Sequence, residues 1–149
     1  MSDISKLKAV VKDSGELSSA GRLDDALNLI NVVMADAEGR GEIMWLRTLS
    51  RHASAMCRSL GNLTMARHYI ERLVQCDPSS AMARFALAEI MLRQGEAEQA
   101  KAQAAESYSL ALGSTDEVDK GAIELIARLW PEMAAVRREG GQNGAGQSE

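Results

Sequence analysis

The chain has 149 residues, of which 46% are hydrophobic and only 3% aromatic, so a core must be built mainly from aliphatic side chains, alanine and methionine. One domain of this length buries roughly two-thirds of the surface that its unfolded chain exposes. The formal net charge is −4 with both signs interspersed, which argues against the clustered basic surface of a nucleic-acid-binding protein.

Apolar residues recur with helical spacing along most of the chain and predict seven helices. In chain order they cover residues 4–19, 23–36, 42–60 and 63–76, then a helix between Ser80 and Gly95, a helix over 97–111, and a helix that follows Thr115 and reaches Leu129. Pro131 either kinks the last helix or begins a short final one. No segment shows the alternation of a strand, so the sequence predicts an all-α fold.

A short pattern, a glycine followed five residues later by an alanine, occurs three times at turns between predicted helices. The copies begin at Gly21, Gly61 and Gly95 and end at Ala26, Ala66 and Ala100. The second and third copies lie 34 residues apart, the period of a helix-turn-helix repeat that must stack on its neighbours to bury its apolar face. Arrays of this kind are typical of proteins that bind other proteins.

Over about residues 7–130 the pattern resembles the tetratricopeptide repeat. The second repeat carries the small, turn and apolar residues of that family at Ser54, Gly61, Ala66, Ile70 and Pro78, and the third at Leu87, Ala88, Met91, Gly95 and Ala100. The resemblance implies antiparallel helix hairpins stacked as a short right-handed α-solenoid, with about three hairpins and a C-terminal capping helix. This domain is expected over residues 1–138, followed by a disordered Gly- and Gln-rich tail over 139–149.

The first repeat departs from the family pattern. It keeps only Gly21, Ala26 and Ile30, and it lies 40 residues before the second repeat instead of 34. Six extra residues must therefore lengthen either the loop around Gly39 or the helix that begins near Glu42.

In this family the first helix of each hairpin lines a concave groove that binds the ligand. The resemblance implies that eleven residues form this groove here: Lys8, Val11, Thr48, Arg51, Ala55, Arg58, Met82, Phe85, Glu89, Leu92 and Arg93. Basic side chains outnumber Glu89, and Phe85 and Leu92 are expected to be exposed on one face as apolar anchors. The expected partner is a protein or peptide segment with acidic and apolar residues.

One partner known for the family is argued against by the sequence. Members that clamp the C-terminal carboxylate of heat-shock chaperones use lysine, asparagine and arginine side chains at fixed positions. The matching positions hold Val11, Gly15, His52, Met82 and Ala86. The clamp is therefore absent.

The chain offers no arrangement of residues that is typical of catalysis. His52 and Cys57 are five residues apart and His68 and Cys76 eight, and neither spacing is that of a zinc pair. Nothing supplies a third residue to orient a Cys-His pair, and no strand precedes a glycine-rich phosphate loop. No catalytic activity, metal or cofactor is predicted.

The predicted location is the cytoplasm. The longest apolar stretches fall far short of the roughly 20 residues of a membrane span, and the first residues lack a secretory signal. Cys57 and Cys76 are expected to be buried free thiols, as in a reducing compartment.

Together these features predict a non-catalytic adaptor or scaffold that binds a partner segment in its groove. Two alternatives stay open at this stage. One is a small secretion or assembly chaperone, because bacterial chaperones of type III translocators are similar in size and repeat number. The other is a structural module whose end helices self-associate into a homo-oligomer.

Overall fold

Helices form nearly all of residues 3–134, the part of the chain that the computed structural model describes. Their bounds are α1 Asp3–Ser19, α2 Leu23–Gly39, α3 Ile43–Ser59, α4 Leu63–Cys76, α5 Ala81–Arg93, α6 Ala97–Leu112 and α7 Glu117–Leu129. No strand occurs between residues 3 and 134, so the predicted all-α fold is confirmed. The tail predicted over 139–149 lies outside the described residues.

The ends of the helices follow the predicted stop signals closely. Pro131 begins a helical stretch over residues 131–134, whereas Trp130 is not helical. This confirms the second alternative predicted for Pro131, that it begins a short final helix. Ser80 caps α5 by accepting a hydrogen bond from the amide of Ala83, and Asp116 caps α7 in the same way.

Contacts divide the chain into two compact units, Met1–Pro78 and Ser79–Glu149. In the first unit α1 packs on α2, α2 on α3 and α3 on α4, and α1 also contacts α3. In the second unit α5 packs on α6, and α7 packs against both of them. The three predicted hairpins, α1–α2, α3–α4 and α5–α6, are therefore present.

Four glycines with left-handed backbone end helices in the same way. Gly21, Gly41, Gly61 and Gly95 have φ angles of 80°, 69°, 77° and 83°, which a residue without Cβ adopts at little cost. After Gly61, for example, the amide of Asn62 donates to the carbonyl of Cys57 at 2.8 Å. This is the hydrogen bond of a Schellman motif that spans six residues. The turn between α2 and α3 thus has the same geometry as the turns inside the hairpins.

The six extra residues of the first repeat lengthen helices. The helices α2 and α3 have 17 residues each, whereas their counterparts α4 and α5 have 14 and 13. The connection over residues 40–42 is one residue shorter than the connection over 77–80. The second of the two predicted locations, the helix that begins near Glu42, therefore takes part of the insertion, and α2 takes the rest.

The alanines of the repeat pattern lie at the helix contacts. Ala26, Ala66 and Ala100 have no exposed surface, as expected where a second helix crosses the first closely. The larger side chains of the core include Ile30, Leu49 and Tyr69 in the first unit and Ile90 and Ile126 in the second.

Candidate functional site

An apolar groove lies between α1 and α3 in the first unit. It has a volume of about 430 Å³, within the range of roughly 300–1,000 Å³ that is common for ligand-binding pockets. Its lining residues are Ile4, Leu7, Lys8, Val11 and Lys12 from α1, and Met44 and Thr48 from α3. Positions 4, 8, 11 and 12 fall on one face of a helix, as do positions 44 and 48.

Two large apolar side chains of this groove face solvent. Ile4 is 53% exposed and Met44 is 47% exposed, although the hydrophobic effect favours the burial of both side chains. They lie on opposite walls of one concave surface, together with the half-buried Val11. A cluster of this kind is typical of an interaction site.

The rim of the groove is positively charged. Lys8 and Lys12 are exposed one helical turn apart on α1. Among the residues that the structure describes, no carboxylate lines the groove. The long side chains of the two lysines can lie along the apolar wall while their ammonium groups stay in water.

A partly buried hydrogen bond joins α1 and α3, the two helices that form the groove. Ser14 of α1 is fully buried, and its hydroxyl donates to the carbonyl of Val10 at 2.7 Å. The same oxygen lies 3.1 Å from Nε2 of His52 on α3. Because the hydroxyl has a single proton, Ser14 Oγ accepts from Nε2–H, which fixes the tautomer of the neutral imidazole. The imidazole ring also lies beside Gly15 of α1.

Burial lowers the pKa of His52 below its usual value, and a hydrogen bond with the backbone of Val11 opposes this shift. The folded protein therefore prefers the neutral imidazole, whereas the unfolded chain protonates it near pH 6.5. The unfolded state then binds more protons just below that pH, so stability falls as the pH drops from about 6.5 toward the lowered pKa.

We expect the free energy of unfolding, measured with urea between pH 7.5 and 5.5, to decrease toward acid. His52→Gln should make this decrease shallower because it removes the titrating group. An identical slope in wild type and His52→Gln would contradict the assignment.

The structure brings together three of the predicted groove residues of the first unit, Lys8, Val11 and Thr48. Arg51 and Ala55 are exposed further along α3, and Arg58 is half-buried; none of these three lines the groove. Four further residues line the groove and were not predicted from the sequence: Ile4, Leu7, Lys12 and Met44. The i, i+4 spacing from Lys8 to Ile4 and Lys12, and from Thr48 to Met44, is the signal that could have found three of them.

In the second unit one expectation is wrong. Phe85 was expected to be exposed, but it is only 6% exposed. The physical reason is that two helices, α6 and α7, pack on α5, so more than one of its faces is buried. On the side of α7, Asp119 accepts a hydrogen bond from the amide of Met82 at 3.2 Å, and Cε of Met82 lies against Gly121. Met82 and Phe85 therefore belong to the packed part of α5.

The other predicted residues of α5 lie toward its C-terminal end. Leu92 is 37% exposed, so the expected exposure of an apolar side chain holds there. Arg93 is exposed as well, whereas Glu89 is half-buried.

The second unit has a cavity of its own, of about 680 Å³, between α6 and residues 132 and 133. Its apolar lining includes Ala105, Tyr108, Leu112 and Met133. Its charged lining residues are Glu98, Lys101 and Glu132, and Lys101 Nζ lies 3.6 Å from Oε1 of Glu132. This cavity therefore lacks the positive charge of the groove in the first unit.

The thiols of the chain are free, as predicted. Cys57 is buried, whereas Cys76 is only half-buried, and burial raises the pKa of both thiols. Both therefore favour the unreactive protonated form. Within residues 3–134 no three histidine, cysteine, aspartate or glutamate side chains are grouped closely enough to hold a metal ion.

No protein-family profile matches the chain, and a search of curated proteins finds no similar sequence. The tetratricopeptide resemblance therefore depends on the residues quoted above. None of the helices between residues 3 and 134 combines the length and the hydropathy needed to cross a bilayer.

Proposed function

We propose that this protein is a non-catalytic, cytoplasmic binding protein that holds a segment of another protein in the groove between α1 and α3. The observation that carries the proposal is the exposure of Ile4 and Met44 on facing walls of one groove with Lys8 and Lys12 on its rim. Covering these apolar side chains with a partner removes them from water. The lysines favour a partner with acidic residues.

The tetratricopeptide resemblance is part of this proposal. It is supported by three helix hairpins, each with a glycine in the left-handed conformation at its turn and a fully buried alanine five residues later. The groove lies between the first helices of the first two hairpins, the side on which the resemblance expects a ligand. The groove extends further than the resemblance implies. The resemblance aligns the first position of the second repeat with Arg47, whereas α3 begins four residues earlier, at Ile43, and so adds Met44 to the wall.

Two free cysteines in a chain of this length are consistent with a reducing compartment. A secretion or assembly chaperone is a narrower form of the same proposal, since it would hold its client at the same groove. Identification of the captured protein decides between a chaperone and an adaptor.

The proposal is tested with a pair of matched variants. Met44→Glu places a carboxylate on the apolar wall, whereas Val32→Glu makes the same kind of exchange at a side chain of α2 that is 71% exposed and does not line the groove. We expect Met44→Glu to weaken partner binding at least tenfold, or about 1.4 kcal/mol, because central apolar anchors dominate binding energy. Val32→Glu should bind as the wild type does.

The measurement begins with capture from the native host by the wild-type protein and identification by mass spectrometry. The purified partner is then titrated against each variant, with circular dichroism to verify that both are folded. Equal affinity of Met44→Glu and the wild type would place the binding site outside the α1–α3 groove and refute the proposal.

A further inference from the structure

We infer that the occupant of the α1–α3 groove is an amphipathic α-helix with acidic residues along one flank. This inference rests on the proposed function and specifies the conformation and charge of the partner segment. It follows from the hydrogen-bonding capacity, the shape and the charge of the groove.

The groove offers very few hydrogen-bonding groups to a peptide backbone. Its lining has one hydroxyl, that of Thr48, and the ammonium groups of Lys8 and Lys12, and the other lining side chains are apolar. The backbone groups of both walls belong to the regular helices α1 and α3. An extended peptide would leave unpaired amides and carbonyls against this apolar surface, which is costly. A helix satisfies its backbone internally.

The shape of the groove also matches a helix. The lining residues of α1 extend from Ile4 to Lys12, a rise of about 12 Å at 1.5 Å per residue. This length corresponds to about two helical turns of the partner. The walls are themselves helices, and the ridges of a third helix can pack into the trough between them. Apolar side chains at i, i+3 or i+4 and i+7 of the partner would then contact Ile4, Val11 and Met44.

The charge of the rim specifies the flank of the partner helix. Lys8 and Lys12 are four residues apart on α1, and side chains four apart on a facing helix have the same spacing. Glutamates at i and i+4 of the partner can therefore pair with both lysines. Because no carboxylate is among the described lining residues, a basic helix would meet repulsion without compensation.

The test uses three fluorescent synthetic peptides of 18 residues and the full-length protein. The first has leucines at helical spacing and glutamates on both flanks. The second has the same leucines and glutamates with two prolines on its solvent-facing side, which prevent a helix. The third has lysines in place of the glutamates. Binding is measured by fluorescence anisotropy at low and moderate salt.

We expect the acidic helical peptide to bind at least tenfold more tightly than either of the other two, and more weakly as salt increases. The double variant Lys8→Glu with Lys12→Glu should reverse the charge preference, so that it binds the lysine peptide and loses the glutamate peptide. Lys6→Glu on the same helix is the control, because Lys6 is exposed but does not line the groove. Met44→Glu should weaken binding of the acidic peptide.

Several results would overturn this inference. Equal or tighter binding of the proline peptide would show that the occupant is extended, and binding of the acidic peptide that Met44→Glu does not weaken would place the peptide elsewhere. A wild-type dimer that Met44→Glu converts to a monomer would make a second copy of this chain the occupant. If the proline peptide binds as tightly as the acidic helical peptide, the proposed function still holds, provided that Met44→Glu weakens binding of the captured partner. If Met44→Glu does not weaken binding of the captured partner, the proposed function itself is wrong.

Discussion

Replacing Ile126 by alanine should lower the free energy of unfolding by about 2–5 kcal/mol. Ile126 lies on α7 and has no exposed surface, so the substitution removes three buried carbon atoms from the contact of α7 with α5 and α6. The cost combines the lost transfer free energy with that of the remaining cavity. For a protein of this size it corresponds to a fall in melting temperature of several degrees.

Leu129→Ala is the matched control on the same helix. Leu129 is 43% exposed, so its truncation should change stability by much less. Thermal and urea unfolding of both variants would decide the matter. Nearly equal, small effects of the two substitutions would show that α7 is not an integral part of the second unit.

Packing of α7 on α5, in addition to α6, was not foreseen when Phe85 was predicted to be exposed. A capping helix was expected after the third hairpin, and α7 lies there. The helical spacing of its apolar residues predicts burial of Val118, Ala122, Leu125, Ile126 and Leu129, but only Ala122 and Ile126 of these are buried, and Val118 and Leu129 are 65% and 43% exposed. The pattern also did not reveal that α7 packs on α5, where Asp119 accepts a hydrogen bond from the amide of Met82. A periodic pattern shows which face of a helix is buried but not which neighbour covers it. Phe85 was therefore assigned to a groove although it is buried.

Local signals predicted the helices and turns well. A helix ends where a left-handed glycine follows it, and Gly21, Gly61 and Gly95 could be recognised from their spacing alone. The burial of the alanine five residues after each glycine could be predicted from the close crossing of the two helices in a hairpin. Because these features depend on residues only a few positions apart, they can be predicted from a single sequence.

The groove in the first unit was predicted only in part, for a different physical reason. Lys8, Val11 and Thr48 followed from the repeat register, but Met44 lies on a turn of α3 that the register does not include. The pairing of Ser14 with His52 joins residues 38 positions apart. Such a contact depends on how α1 and α3 are placed side by side, which no local pattern specifies.

Ala100→Leu tests the helix contact on which the repeat pattern depends, and it should cost about 1–3 kcal/mol. Ala100 has no exposed surface on α6, and α6 packs on both α5 and α7. Three additional carbon atoms at this position must displace side chains from their rotamers or move the helices apart, because the interior is already close-packed. The expected result is a lower melting temperature with the helical content of the wild type.

Ala105→Leu is the control on the same helix, since Ala105 is exposed in the wall of the cavity of the second unit and a leucine has space there. If Ala100→Leu unfolded at the same temperature as the wild type and Ala105→Leu, the alanine of the repeat pattern would not be a crossing position, and the tetratricopeptide register proposed for the third hairpin would be wrong.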